Sequence, residues 1–200
     1  MTDADRDKWE QKYEVKDVSE IPPADEWLLE CVRHLTPGRA LDVACGLGQN
    51  AIALAELGWQ VDAVDISPRG LELAANHADQ LGVKINWICA DLDEWLPETD
   101  RYDLVIFFLF LDWECIPAIV ERGLKPGGSL CYETFSAAQC NRSDNHLKNP
   151  AFTVQEGDWE RYFLNFEILT SQMVSLESRD VARFRAIRNA GPLKSLRGNP

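Results

Sequence analysis

The residues best suited to chemistry in this sequence stand side by side: Asp42, Val43, Ala44, Cys45, Gly46, Leu47 and Gly48. Gly46 and Gly48 lack a Cβ, so a loop built on them lets a ligand approach the backbone closely. With Ala51 they also satisfy the GxGxxA spacing of a phosphate-binding turn, and Asp65 follows 17 residues after Gly48. Asp42 argues against a pyrophosphate. It stands two residues inside the expected strand end, where its charge would repel a phosphate group and attract an ammonium group. Asp65 and Asp91 fall at the ends of the next two expected strands, where the ligands of open α/β sheets bind.

These acids must be positioned by alternating elements. An acidic helix is expected over residues 3–14, and a second is expected to begin at Pro22-Pro23, since proline suits a first turn. Its apolar face is Trp27, Leu28, Val32 and Leu35, and Pro37-Gly38 stops it. Strands are then expected over 39–44, 60–64, 84–89, 102–109 and 129–135. The helices between them cover 49–57, from Ser67-Pro68 to Gly82, and 113–123. The fourth strand is so continuously apolar that both its faces must be covered. Residues 136–150 read as a polar loop, 159–164 as a short helix, and 166–173 and 180–189 as a pair of antiparallel strands. The pattern predicts a doubly wound, mostly parallel seven-stranded sheet with a C-terminal antiparallel hairpin and one antiparallel edge strand. No linker divides the chain, so one domain over 1–200 is expected: helices that could form a lid over 1–35, a ligand-binding core over 36–135, and the loop, short helix and hairpin over 136–200.

Composition excludes several function classes. The 200 residues are 46% hydrophobic and 26% charged, as in an ordinary globular domain. A net charge of −13 makes nucleic acid a poor partner. The exception is the stretch from Arg179 to Pro200, with Arg179, Arg183, Arg185, Arg188, Lys194 and Arg197 against Asp180 alone, which reads as a solvated edge strand and a loose end. The six cysteines show no CxxC pair, and the three histidines (His34, His77, His146) are far apart, so no metal site is expected. The acidic N-terminus lacks the apolar core of a secretory signal, and the longest apolar run, 104–111, is too short to span a membrane. A cytoplasmic protein with no membrane partner is expected, and Asn141-Arg142-Ser143 is then a glycosylation sequon by chance.

The stretch "ALDVACGLGQNAIALAELGWQVDAVDISPRGLEL" (40–73) closely resembles the first motif and the following acidic motif of class I S-adenosylmethionine-dependent methyltransferases. "CADLDEW" (89–95), "RYDLVIFFLF" (101–110) and "LKPGGSL" (124–130) are similar to that family's later motifs. "WEQKYE" near the N-terminus, "YETF" and "KNPAF" look like the tellurite-resistance-type branch acting on small molecules. The resemblance implies S-adenosylmethionine as cofactor, a Rossmann-like methyltransferase fold, and roles for individual residues. Asp42 would face the cofactor's ammonium group, and Ala44, Gly46 and Gly48 would line its methionine and ribose part. Asp65 would accept hydrogen bonds from the ribose hydroxyls, and Ile66 would pack on the adenine. Asp91 would accept the adenine amino group, with Leu92 adding a backbone contact. Phe108 would close the site from the fourth strand. Trp9 and Tyr13, four residues apart on one helix face, would either close over the cofactor as a lid or pack into the core. Two rival readings stand beside this one: an NAD-binding Rossmann oxidoreductase, and a non-catalytic protein that binds S-adenosylmethionine. Against NAD stand Asp42, the helices before the first strand, and the little chain left after the hairpin for a substrate domain.

Methyl transfer from a sulfonium is an in-line displacement, so the protein mainly aligns the nucleophile and excludes water. A soft acceptor such as a thiol, selenium or tellurium species needs no general base, whereas an alcohol does. The acceptor is expected over the fourth and fifth strand ends, near Phe108, Phe110, Trp113, Tyr132, Glu133 and Phe135, with Phe107 more core than wall. No (Asn/Asp)-Pro-Pro-(Tyr/Phe) run follows the fourth strand, which disfavours DNA amines as acceptors. Glu133 and His146 are candidate bases, and Arg142 and Lys148 candidate anion binders.

Overall fold

The computed structural model describes residues 3–17 and 21–191. In chain order the elements are α1 (Asp3–Glu14), α2 (Glu26–Val32), β1 (Arg39–Val43), α3 (Gln49–Glu56), β2 (Gln60–Asp65), α4 (Pro68–Leu81) and β3 (Ile85–Cys89). There follow β4 (Tyr102–Phe108), α5 (Ile116–Gly123), β5 (Leu124–Phe135), α6 (Asp158–Tyr162), β6 (Phe166–Ser175) and β7 (Asp180–Arg188). The seven strands form one sheet in the order β3-β2-β1-β4-β5-β7-β6. Strands β1 to β5 are parallel, and β7 runs antiparallel to both β5 and β6.

The apolar run of β4 is explained by its place between β1 and β5, with Leu104 to Phe107 fully buried. Alternation sends its side chains to two cores. Val105 and Phe107 join Leu41, Val43, Leu130 and Tyr132 under α5 and α6, while Leu104 and Ile106 join Ala40, Ala63 and Cys131 under α2, α3 and α4. Helix α4 has both expected stops: Ser67 Oγ accepts the Gly70 amide, and Gly82 takes a left-handed conformation.

Four expectations need correction. Helix α2 starts at Glu26 and not at Pro22-Pro23, because Asp25 caps it by accepting the Trp27 amide at 2.9 Å. The antiparallel strand is β7, inside the sheet, and the edge strand β6 runs parallel to β1–β5. The fifth strand begins at Leu124 and not at 129, and Pro126-Gly127-Gly128 bulges out of it, between the pairs Tyr102–Leu124 and Leu104–Ser129. The loop after β5 is not structureless either, since it holds 3₁₀ turns at Ala137–Asn141 and Pro150–Phe152.

The basic C-terminal stretch is also not a solvated edge. Arg179 pairs with Asp25 at 2.6 Å and with Glu133 at 2.8 Å, and Arg183 pairs with Glu133 at 2.7 Å. Arg188, buried, pairs with Asp100 at 2.6 Å and donates to the Leu124 carbonyl. Lys194 and Arg197 lie outside the described residues. Among the described residues no helix is long and apolar enough to cross a membrane, and no group of His, Cys, Asp or Glu could hold a metal ion.

Candidate functional site

Strand alternation brings the carboxyl-end acids to one face. Asp42 neighbours Ala63 and Ile106 across β2 and β4, and Asp65 ends β2 on the side of Val61 and Ala63. Above them the chain leaves β1 in left-handed conformations at Ala44 (φ 54°), Gly46 (φ 56°) and Gly48 (φ 72°). The Cys45 amide, bonded to the Val64 carbonyl at 3.1 Å, ties the start of this loop to β2. Gly48 is required by packing as well as by φ, since a Cβ there would lie 2.6 Å from the Trp87 ring and 2.8 Å from Ala74. At Gly46 a Cβ would lie 2.9 Å from the Tyr13 hydroxyl.

Between this loop, α1 and the end of β4 lies a cavity of about 430 Å³. It brings together Trp9, Tyr13, Asp42, Ala44, Gly46, Asp65, Ile66 and Phe108, all expected from the sequence. Lys12, Lys16, Gln49, Asn50, Leu109 and Phe110 also line it. Of these, sequence reasoning named only Phe110; Lys12 had a signal, because it stands between Trp9 and Tyr13 on α1, whereas Lys16 follows the end of that helix. The cavity lining does not include Gly48, Asp91, Leu92, Glu133 or His146.

The electrostatics of the acids follow from burial. Asp42 is 2% exposed, and its Oδ2 has no hydrogen-bond partner. Burial, reinforced by the charge of Asp65, pushes its pKa up to about 8, although the Ala51 amide donates to it. Burial raises Asp65 too, but its oxygens accept the Gly46 amide at 2.7 Å and the Ser67 amide at 2.9 Å, which offsets part of that cost. A buried carboxylate oxygen without a partner, in a cavity of ligand size, suits a ligand's cationic group.

Helix α1 closes one side. Glu10 accepts the Arg69 amide at 3.0 Å and the Ser67 hydroxyl, so it binds the first turn of α4. Tyr13 is buried with Leu47 and Leu73, and its ring would lie 3.0 Å from a Cβ on Gly70. Trp9 stacks on Tyr13 with ring centroids 5.8 Å apart. Tyr13 therefore both packs in this small core and lines the cavity, where Trp9 stands beside it.

The other expected residues fall elsewhere. Asp91 is half-buried and accepts the Asp93 amide at 3.0 Å, while its carbonyl accepts the Glu94 and Trp95 amides, so it organises a turn. Leu92 is buried in the core under α5. Glu133 is fully buried, with both oxygens held by Arg179 and Arg183, and is not placed to take a proton from a ligand. His146 is exposed on the loop after β5. Arg142 and Lys148 brace that loop, through Asp144 at 3.2 Å and the Arg142 carbonyl at 2.5 Å respectively. Trp113 stacks on Tyr162, centroids 4.2 Å apart and rings 6° from parallel, beside Trp159 and Tyr132 on the opposite face of the sheet. Leu109, in a left-handed conformation (φ 57°) and fixed by its amide on the Glu133 carbonyl at 2.8 Å, presents an exposed apolar side chain at the cavity rim.

Residues 40–128 match the family model of a methyltransferase domain. Over those residues the chain is similar to a methyltransferase domain. The chain is 31% identical over 134 residues to a ubiquinone biosynthesis O-methyltransferase of Bordetella avium, an alignment covering 64% of this chain and 56% of that protein. The chain thus spans little more than half of that relative's length. In three dimensions the chain is similar to TehB from Haemophilus influenzae (TM-score 0.68, 19% identity, 92% of this chain and 67% of that one). It is also similar to magnesium protoporphyrin IX methyltransferase from Synechocystis PCC 6803 with bound S-adenosylmethionine (TM-score 0.67, 17% identity, 93% and 96%). S-adenosylmethionine is the cofactor of this domain class, and the unpartnered Asp42 oxygen and the Gly46 approach fit its ammonium and its bulk.

Proposed function

We propose that the chain transfers the methyl group of S-adenosylmethionine to a small-molecule acceptor. The observation that carries this reading is the unpartnered, buried Asp42 oxygen in a cavity walled by the left-handed Ala44–Gly46 turn. Bound S-adenosylmethionine supplies a methyl group already activated on a sulfonium. Asp42 takes the ammonium group, and Asp65 takes the ribose hydroxyls as alternatives to the backbone amides it now accepts. Gly46 admits the backbone close to the sulfur side, Ile66 covers the base, and Trp9 and Tyr13 exclude water from above. Residues 1–35 act as lid, 36–135 as cofactor core and 136–200 as support within a single domain of a cytoplasmic protein.

The acceptor end of the cavity is formed by Phe108, Leu109 and Phe110, none of which can accept a proton from a nucleophile. This supports an acceptor that is nucleophilic at neutral pH without a base, of the thiol, selenium or tellurium type. The name of the Bordetella avium relative makes an oxygen acceptor the competing class.

Calorimetry with S-adenosylhomocysteine and NAD side by side tests the cofactor, and tighter NAD binding would sink the reading. Asp65→Ala is expected to weaken S-adenosylhomocysteine by about 1–3 kcal/mol; unchanged affinity would remove Asp65 from the site. Tritiated methyl transfer to a metabolite extract, followed by a thiol and phenol panel, tests catalysis and acceptor class. Binding without any transfer would favour a non-catalytic cofactor-binding protein.

A further inference from the structure

The chain leaves β4 at Leu109 in a left-handed conformation (φ 57°), which a residue with a Cβ adopts only at a cost. Among the described residues, three that are not glycine have a positive φ. Asp100 has a short polar side chain that tolerates it, and that side chain accepts from Arg188. Ala44 is small and belongs to the loop after β1. Leu109 alone of the three carries a large apolar side chain, and it is 44% exposed. We propose that Leu109 is a specificity-determining residue, which favours acceptors whose nucleophilic atom is carried on an apolar body over small ionic ones. The proposal rests on the methyl-transfer reading above and narrows its acceptor class.

Three observations carry it. The first is place. The sheet order sets β1 between β2 and β4. The cavity therefore runs from Asp65 and Ile66 at the end of β2, past Asp42 and Gly46 at the end of β1, to Phe108, Leu109 and Phe110 at the end of β4. Asp65 and Asp42 serve the cofactor on that reading, which leaves the β4 end to the acceptor. Helix α1 docks on the β2 side, since Glu10 accepts the Arg69 amide and Tyr13 packs with Leu73, both on α4. The three lining residues at the β4 end carry no polar side chain. Lys12 and Lys16 also line the cavity, so an anionic acceptor is the alternative to be excluded.

The second observation is how firmly the turn is held. The Leu109 amide donates to the Glu133 carbonyl at 2.8 Å, and the Phe110 carbonyl accepts the hydroxyl of buried Tyr132 at 2.6 Å. Phe110 also stacks on fully buried Phe107, with ring centroids 6.5 Å apart. Held at both residues by β5, the backbone cannot relax so as to hide the leucine. The third is the double cost of leucine here. Glycine would make the same turn without strain, and a polar side chain would meet water without exposing apolar surface. Strain of this kind collects where ligands are clamped. An apolar acceptor lying on Leu109 and the half-buried rings of Phe108 and Phe110 would bury the exposed surface.

The test titrates thiophenol, cysteine and selenite separately into the full chain saturated with S-adenosylhomocysteine, which has no methyl group to give. Thiophenol carries its sulfur on an apolar ring, cysteine carries it on a zwitterion, and selenite is an oxyanion. Calorimetry is expected to show thiophenol binding about tenfold or more tightly than either of the others. Leu109→Gly should weaken thiophenol by about tenfold and leave S-adenosylhomocysteine within about twofold. Its thermal midpoint should not fall, because glycine suits the left-handed turn. Leu109→Asn, which keeps the turn and adds a polar group, should weaken thiophenol likewise. Tighter binding of cysteine or selenite, no binding of thiophenol, or a thiophenol affinity unchanged in both variants would overturn the assignment. Equal weakening of S-adenosylhomocysteine and thiophenol would overturn it too, since Leu109 would then shape the whole cavity. All of these leave the cofactor reading standing, whereas failure of the unaltered chain to bind S-adenosylhomocysteine would sink both.

Discussion

Asp42 sits under two opposed demands. Packing places it on a central strand with 2% of its surface exposed, and one of its oxygens has no donor there. An acid whose folded pKa lies above its unfolded one keeps its proton in the interval between, so folding takes up a proton. Stability is then lost as pH rises from 3.8 to about 8, and it is not regained above that. A ligand ammonium reverses the preference and expels the proton. S-adenosylhomocysteine is therefore expected to bind more tightly as pH rises toward 8, by at most about tenfold per pH unit, and to level off beyond. Titration calorimetry at pH 6, 7 and 8 measures the slope. Asp42→Asn should flatten it and weaken binding, and a slope that survives the substitution would show that another group titrates. At this scale the sequence was legible in placement: Gly46 takes a left-handed turn and, with Asp65, lines the cavity, as the turn pattern predicts. It was less so for Asp91, where a carboxylate at a strand end can hold either a ligand or its own turn. The backbone of residues 91–95 closes on Asp91, and a linear motif does not show that.

At the scale of elements, periodicity found every helix and strand of the parallel half, because each buries a continuous stripe or face. Misplaced boundaries had local causes. Pro22-Pro23 looks like a helix start, but the Asp25 carboxylate satisfies the Trp27 amide and sets the start at Glu26. What periodicity could not give is the seat of α1, since its docking on α4 joins the Glu10 carboxylate to the packing of Tyr13 on Leu73 and Gly70. Glu10→Gln keeps the shape but removes the charge that favours the Ser67 hydroxyl and the α4 N-terminus. A local loss of about 1 kcal/mol is expected, which raises the opening of α1 roughly fivefold. Hydrogen exchange in residues 5–14 should speed up by that factor, while the thermal midpoint shifts little. Unchanged exchange would mean that Tyr13 and Trp9 alone hold the helix.

At the scale of the whole molecule, charge was the misleading signal. A basic stretch at the end of an acidic chain reads as solvated, yet Arg179, Arg183 and Arg188 are structural. Arg179 joins Asp25 at the N-cap of α2, Glu133 on β5 and the start of β7. Arg183 completes the cluster from β7 and lies over the Trp27 ring, 5.1 Å from its centroid. These contacts span about 150 residues of sequence, from 25 to 179, and no local pattern could have revealed them. They tie the β7 end of the sheet to β5 and to the N-cap of α2. They also fix Asp25, whose amide donates to Asn50 in the cavity wall. Arg179→Met would leave the fully buried Glu133 with one partner and Asp25 Oδ2 with none. Breaking a fully buried pair costs about 3–5 kcal/mol. Arg179 is 29% exposed, so urea unfolding should show a smaller loss of about 2–3 kcal/mol. Adding Glu133→Gln removes the stranded charge, so the double variant should be destabilised by less than the two single losses combined. Strict additivity would mean that Arg179 and Glu133 act independently, and that the hairpin is held by its β5–β7 ladder and its apolar face of Ala182, Phe184 and Ala186.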